Sequence, residues 1–165
     1  MEIPGVGSKP AAPRCRIRDI LCRVIGLATW RGRCILYRMA TASLGSHKLM
    51  AFVATRDPAR ARSFYGDTLG LRLVSEDRFA LVFDAHGTML RVTTVHELAL
   101  AKYTVLGWEV SDIATAAKDL QSAGVKLEQY GLKEQDERGI WTAPGGARVA
   151  WFKDPDGNIL SLTQF

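Results

Sequence analysis

The sequence predicts an α+β fold of two βαβββ modules, whose strands form a curved mixed sheet with helices on one face and a cup on the other. Three observations carry that expectation. An acidic residue, a glycine turn and an alternating apolar run occur twice, as "DAHGTMLRV" over residues 84–92 and "DPDGNILSL" over residues 154–162, each the pattern of a strand leaving a tight hairpin. Each half also contains an aspartate suited to a helix N-cap, Asp57 and Asp112, followed by a helical apolar spacing. Finally, the excess charge and all the cysteine lie in residues 1–46, which sets residues 47–165 apart as the domain.

The net charge of +5 invites a nucleic-acid reading until it is located. Residues 1–46 hold eight Lys and Arg against two acids, and residues 47–165 hold fourteen against fifteen. The domain is near neutral, so no nucleic-acid partner is expected. Cys15, Cys22 and Cys34 match no zinc spacing, and their odd number argues against a disulfide framework. The sequence therefore predicts a cytoplasmic protein. The stretch "RCRIRDILCRVIGLATWRGRCILYR" carries seven arginines and one acid. It reads as a basic extension outside the domain, with a membrane-surface helix or a transit peptide as alternatives. No run approaches the ~20 apolar residues of a spanning helix, and no membrane is expected for the domain.

The first module spans about residues 47–95. "KLMAFVATRD" alternates into a strand and ends at Asp57-Pro58, an N-cap with proline at the first helical position. Ala61, Phe64 and Tyr65 fall on one helical face, and Gly70 closes the helix. "LRLVS", "RFALVFD" and "TMLRVTTV" follow as strands. The second module spans about residues 103–165. "YTVLGWEV" is its first strand, Asp112 caps a helix with Ile113, Ala116, Ala117 and Leu120 on one face, and Gly124 ends it. "VKLEQ", "IWTAP", "ARVAWFKD" and "ILSLTQF" are read as strands, with the polar insert "KEQDERG" between the first two. The shared G-x-x-L-x-[VL] finish marks an internal repeat.

Alternation then assigns faces. Leu90 and Val92 look toward the helices, and Met89, Arg91 and Thr93 toward the cup. Tyr103, Val105, Gly107 and Glu109 face the cup on the fifth strand, as do Ile159, Ser161 and Thr163 on the last.

The segments "RDPARARSFYGDTLGLRLV", "WEVSDIATAAKDLQSAGV" and "WFKDPDGNILSL", in that order, resemble the vicinal oxygen chelate superfamily of glyoxalases, bleomycin-resistance proteins and extradiol dioxygenases. The resemblance covers about residues 48–165 and implies the same paired βαβββ fold. In metal-dependent members, two positions on each module's outer strands supply ligands. Carried over by motif, they fall here on Met50, Arg91, Val105 and Ser161. A hard divalent ion requires imidazole, carboxylate or amide oxygen there. A guanidinium about 4 Å from such an ion costs roughly 8 kcal/mol at an effective dielectric near 20. The expectation is therefore no metal and no cofactor. His47, His86 and His96 do not share the site's parity or position, and "DPDGN" lacks the spacing of a calcium loop.

A cup without metal still offers apolar walls with a few polar anchors, as small-molecule pockets do. Met50, Phe52, Tyr103 and Val105 are read as wall, Arg91, Glu109 and Ser161 as anchors, and Trp141 as a closing lid. Arg91 and Glu109 either pair with each other across the sheet, or Arg91 takes a carboxylate or phenolate of the ligand. Trp108 and Trp151 are read as packing residues. No nucleophile elbow, phosphate loop or dinucleotide motif is present. The primary reading is a metal-independent binder of a small organic molecule, sequestration of a toxic compound being one version of it, and the resemblance implies a homodimer. One rival is a glyoxalase-like lyase or isomerase, or a dioxygenase-like enzyme, that uses a displaced metal site or Glu109 as acid/base. The other is a non-catalytic interaction module whose cup is filled by its own side chains.

Overall fold

The computed structural model describes residues 28–30, 33–35 and 44–165. The chain divides into two compact units, Met1–Ser46 and His47–Phe165. In the first, β1 (Ala28–Trp30) pairs antiparallel with β2 (Arg33–Ile35), and Leu44–Ser46 form a 3-10 turn. Of residues 14–38 only these two strands are described, and they are not part of a helix; the rest of that segment, and the readings that fall on it, lie outside the described residues.

The second unit holds both modules. The first comprises β3 (Met50–Thr55), α1 (Pro58–Arg62), β4 (Arg72–Glu76), β5 (Ala80–Ala85) and β6 (Thr88–Thr94). The second comprises β7 (Leu106–Glu109), α2 (Ile113–Ser122), β8 (Ile140–Thr142), β9 (Arg148–Lys153) and β10 (Ile159–Gln164). Each forms a four-stranded mixed sheet, in order β3-β6-β5-β4 and β7-β10-β9-β8, with the first and last strands parallel and the other pairs antiparallel. The predicted α+β architecture of paired modules is the observed one.

Both helices begin as their caps predict. The Asp57 carboxylate accepts from the Arg60 N–H, and the Asp112 carboxylate from the Ala114 and Thr115 N–H groups. The first helix then departs from expectation. After five α residues it widens into a π-helix over Ser63–Thr68, where Tyr65 enters the core, before Gly70 stops it at φ 71°. "VKLEQ" is not a strand. Leu127 makes an isolated bridge to Phe152, and the Glu128 N–H donates to the Trp151 carbonyl. The reason is competition for one edge: β8 pairs with residues 148–150 of β9, which leaves only the end of that strand for residues 127 and 128. β7 is also shorter than predicted, so Tyr103 precedes it and is 71% exposed.

Alternation decides the core. Val53, Leu90, Val92, Ala150, Phe152, Leu160 and Leu162 pack with Ala61 and Tyr65 of the first helix and with Ile113 and Ala117 of the second, in one continuous cluster. That burial supplies most of the driving force, at roughly 25 cal/mol per Å² of apolar surface.

A polar cluster locks the modules together. The buried Asp154 carboxylate accepts from the Tyr65 hydroxyl (2.8 Å), from the Asp156 and Asn158 N–H groups, and from Asn158 Nδ2. Asn158 Nδ2 also donates to the Ala54 carbonyl at 2.9 Å, and Thr55 Oγ1 donates to Asp156 at 2.5 Å. The 154–158 turn therefore grips the end of β3 and the first helix of the other module. The matching turn in the first module is an exposed two-residue hairpin, with His86 and Gly87 at φ 51° and 87°.

Burial, followed by the neighbouring Asp154 charge, pushes the Tyr65 phenol far above its ordinary value of 10.0. A raised folded-state value stabilises the fold fully below the unfolded-state value, and that contribution is lost as pH rises above it. Tyr65→Phe is expected to cost about 1–3 kcal/mol at neutral pH, since it leaves one carboxylate oxygen short of a donor. Above pH ~10 the difference should shrink by about 1.4 kcal/mol per pH unit, because only the wild-type unfolded chain releases that proton. Urea unfolding of both proteins at neutral and alkaline pH checks this; a constant difference would contradict it.

Candidate functional site

The registers fix which side chains share the face opposite the helices. In the first module Phe52, Arg91 and Val82 lie in one row across β3, β6 and β5, and Met50, Met89 and Asp84 in the next. In the second, Gly107, Ser161 and Trp151 lie in one row across β7, β10 and β9, followed by Glu109, Thr163 and Val149. The rows correspond strand for strand, so Phe52 matches Gly107, Arg91 matches Ser161 and Val82 matches Trp151. Met50 likewise stands two residues before the partner of Arg91, as Val105 stands two before the partner of Ser161. The four positions singled out as family ligand sites thus repeat in register, but Val105 packs against the buried core cluster, which corrects its reading as cup wall.

The chemistry at those positions does not suit a hard divalent ion. They carry a thioether, a guanidinium, an isopropyl group and a hydroxyl, and no group of three or more His, Cys, Asp or Glu side chains among the described residues could hold a metal.

The first module's wall is open and apolar, with Met50, Phe52 and Met89 44%, 60% and 42% exposed. A depression of about 360 Å³ lies at its end, bounded by Met50, Met89, Val74 and the Arg72–Asp84 ion pair (2.8 Å). Arg91 is half-buried beside Phe52. No ion pair joins it to Glu109 among the described residues. Its charge acts instead on Asp77, whose carboxyl is held below its ordinary value mainly by the Phe79 and Ala80 N–H groups, with Arg91 contributing. Of the two readings of Arg91, the cross-sheet pair is not formed. Glu109 is exposed near the end of β7, opposite Thr163.

The second module's wall is aromatic. Trp151 is flanked by Trp141, with ring centroids 5.9 Å apart, and by Tyr130, edge-on at 5.5 Å. Both indole N–H groups are bonded within the protein, that of Trp151 to Thr104 Oγ1 (3.1 Å) and that of Trp141 to the Lys133 carbonyl (2.9 Å). Trp141 is therefore fastened to the insert, and a further depression of about 470 Å³ opens between it, residues 132–134 and residues 143–144. Trp108 does pack on the helix side, stacked on Phe152 at 6.3 Å. Trp151 does not share that face, which corrects its reading as a packing residue. The signal was available: in "ARVAWFKD" it has the parity of Val149 and Lys153, opposite to Ala150 and Phe152. Tyr130, in the loop after the isolated bridge, had no such signal.

Ser161 is 6% exposed, yet its Oγ bonds to no described residue. Beside it, a Cβ built on Gly107 would stand 2.7 Å from that oxygen. Of the predicted site residues, the structure brings Phe52 beside Arg91, and Ser161 into the row of Gly107 and Trp151. Tyr103 and Val105 lie before β7, with the Val105 N–H donating to the Ile159 carbonyl.

The sequence profile of the Glyoxalase/Bleomycin resistance protein/Dioxygenase superfamily matches residues 47–162. Among solved structures, a member of that superfamily from Sphaerobacter thermophilus superposes with a TM-score of 0.58 at 22% identity, covering 73% of this chain and 98% of its own. The lactoylglutathione lyase from Agrobacterium tumefaciens gives 0.57 at 18%, with 72% and 93% covered. A glyoxalase family protein from Enterococcus faecalis gives 0.55 at 18%, with 71% and 94% covered. These likenesses concern the fold. No curated protein matches the chain.

Two indoles this close and held by their N–H groups should couple, giving an exciton couplet in the far-ultraviolet circular dichroism spectrum. Trp141→Phe and Trp151→Phe should each abolish the couplet, while Trp108→Phe should leave it. Survival of the couplet in either of the first two variants would contradict the arrangement.

Proposed function

The chain belongs to the Glyoxalase/Bleomycin resistance protein/Dioxygenase superfamily, and from that membership we propose that it is a metal-independent binding protein for a small organic molecule held against the cup face. The observation that carries this reading is the donor set at the four positions that repeat in register. Met50, Arg91, Val105 and Ser161 lack the oxygen and nitrogen ligands through which a divalent ion would act. What they leave is a wall of apolar side chains with isolated polar groups, the composition that recognises small molecules by shape and a few directed contacts.

Arg91 is the anchor for an anionic group, either carboxylate or phenolate, since its fork of donors is not closed by a carboxylate on the same face. Met50, Phe52 and Met89 contact the apolar part. The lyase or isomerase alternative needs a carboxylate shielded from water at the reacting atoms. Glu109 is exposed, which disfavours that role. A cup filled by the chain's own side chains is disfavoured by the exposure of Phe52 and Met50. The same exposed apolar surface supports pairing with a second copy of the chain. Among the described residues no helix is long and apolar enough to cross a membrane, and the reading places the protein in the cytoplasm.

Native mass spectrometry of the full chain tests the proposal. The expected spectrum is a dimer that holds no stoichiometric divalent ion and retains an organic adduct from the host, with the same adduct on Glu109→Gln. One divalent ion per chain would overturn the metal-independent reading. A Glu109→Gln variant that accumulates a different, unprocessed adduct would favour the enzyme.

A further inference from the structure

Four polar or charged side chains are buried among the described residues: Thr55, Asp154, Asn158 and Ser161. The first three belong to the cluster that joins the modules. Ser161 has no such role. As a residue it is 6% exposed, on the cup face, and its hydroxyl has no hydrogen-bond partner among the described residues; since no buried side-chain oxygen or nitrogen there lacks a partner, that oxygen is the part of Ser161 that reaches the open cup. A hydroxyl both donates and accepts, and this one is open to a partner entering from the cup.

The neighbours in its row give that hydroxyl a setting. On one side, Gly107 leaves the strand bare in the middle of β7, at a backbone conformation that does not itself require glycine. A glycine inside a strand marks a place where something approaches the backbone closely, and here the neighbour is Ser161 Oγ, 2.7 Å from where a Cβ would stand. At the matching position of the first module stands Phe52, so the repeat carries a ring where this row carries open backbone. On the other side stands Trp151, braced by Trp141 and Tyr130. With both indole N–H groups already bonded, that wall offers ring faces and edges only. The sole uncommitted polar group in the row is Ser161 Oγ.

We infer that the row Gly107–Ser161–Trp151 is a seat for a neutral planar aromatic ring, laid on the bare strand at Gly107, walled by the Trp151 indole and hydrogen-bonded at one edge oxygen or nitrogen by Ser161. No charged side chain stands in the row, so a charged group of the ligand lies elsewhere. The inference rests on the reading of the cup as a small-molecule site and names the class of group that its second wall takes.

Isothermal titration calorimetry of the full chain with 2-naphthol and with naphthalene tests the seat. Wild type should bind 2-naphthol about tenfold more tightly, the worth of one hydrogen bond. Ser161→Ala should abolish that preference while keeping naphthalene affinity. Gly107→Val should lose both ligands by filling the shelf. Should Gly107→Val fail to fold because its side chain crowds Ser161, Gly107→Ala with Ser161→Ala removes the clash and is expected to weaken naphthalene binding relative to Ser161→Ala alone. The inference falls if Ser161→Ala keeps the preference, if filling the shelf leaves naphthalene binding unchanged, or if 2-naphthol does not bind. If 2-naphthol binding ignores both seat positions but is weakened in Phe52→Ala, the cup remains a binding site and only the seat is wrong. If it ignores all three, the cup reading falls with it.

Discussion

Burying the Asp154 carboxylate is tolerable only because four donors converge on it, and one of them, the Tyr65 hydroxyl, comes from the other module. An unpaired buried charge costs far more than a typical hydrogen bond returns, so the two modules cannot shift past each other without stranding it. Asn158 and Asp156 extend the grip to the Ala54 carbonyl and the Thr55 hydroxyl. This holds the end of β3 against the turn that launches β10. Both strands carry cup residues, Met50 and Phe52 on one, Ser161 and Thr163 on the other. The relative placement of the two cup walls is therefore set by polar contacts that the sheets themselves do not provide, since their ladders do not join.

The doubled turn shows how one local solution serves two ends. In both copies an aspartate side chain accepts a backbone N–H from the turn, Gly87 for Asp84 and Asn158 for Asp154. The other oxygen differs. In Asp84 it meets the Arg72 guanidinium at the surface, and in Asp154 the Tyr65 hydroxyl in the core. The strands that follow keep the same register and the same facing, yet the inward residues diverge: Arg91 with Phe52 on one side, Ser161 with Gly107 on the other. The backbone repeat is thus a symmetric frame on which the two walls have become chemically unlike.

Much of this was legible because alternation along a half-buried strand is a physical consequence of the pleat. It placed Leu90 and Val92 in the core and Met50, Phe52 and Met89 outside it. Caps were legible for the same kind of reason, since aspartate before proline or before an apolar helical spacing satisfies orphan N–H groups locally. What could not be read was decided by distant partners. Tyr65 looks like any apolar helix residue until Asp154, 89 positions away, arrives beside it. "VKLEQ" has strand composition but loses its edge to β8, a competition no local pattern encodes. Trp151 is a different case: its parity was plain, but a large aromatic residue in a strand invites a core assignment on composition alone.

The cup's chemistry follows from what its walls lack. Lys153, whose ammonium is held above its ordinary value chiefly by its hydrogen bond to Glu128, is committed to a 2.7 Å ion pair at the margin. Glu109 faces water. Arg91 stands on the other wall. The centre of the second wall is left with ring faces, bare backbone and one hydroxyl, none of which gains or loses a proton near neutral pH. Such a surface can select a ligand by shape and a single directed contact, the Ser161 hydroxyl being the one side-chain group in that row able to donate a hydrogen bond without breaking another. The two walls thus differ in kind, a cation beside apolar side chains on one and ring faces beside a neutral hydroxyl on the other.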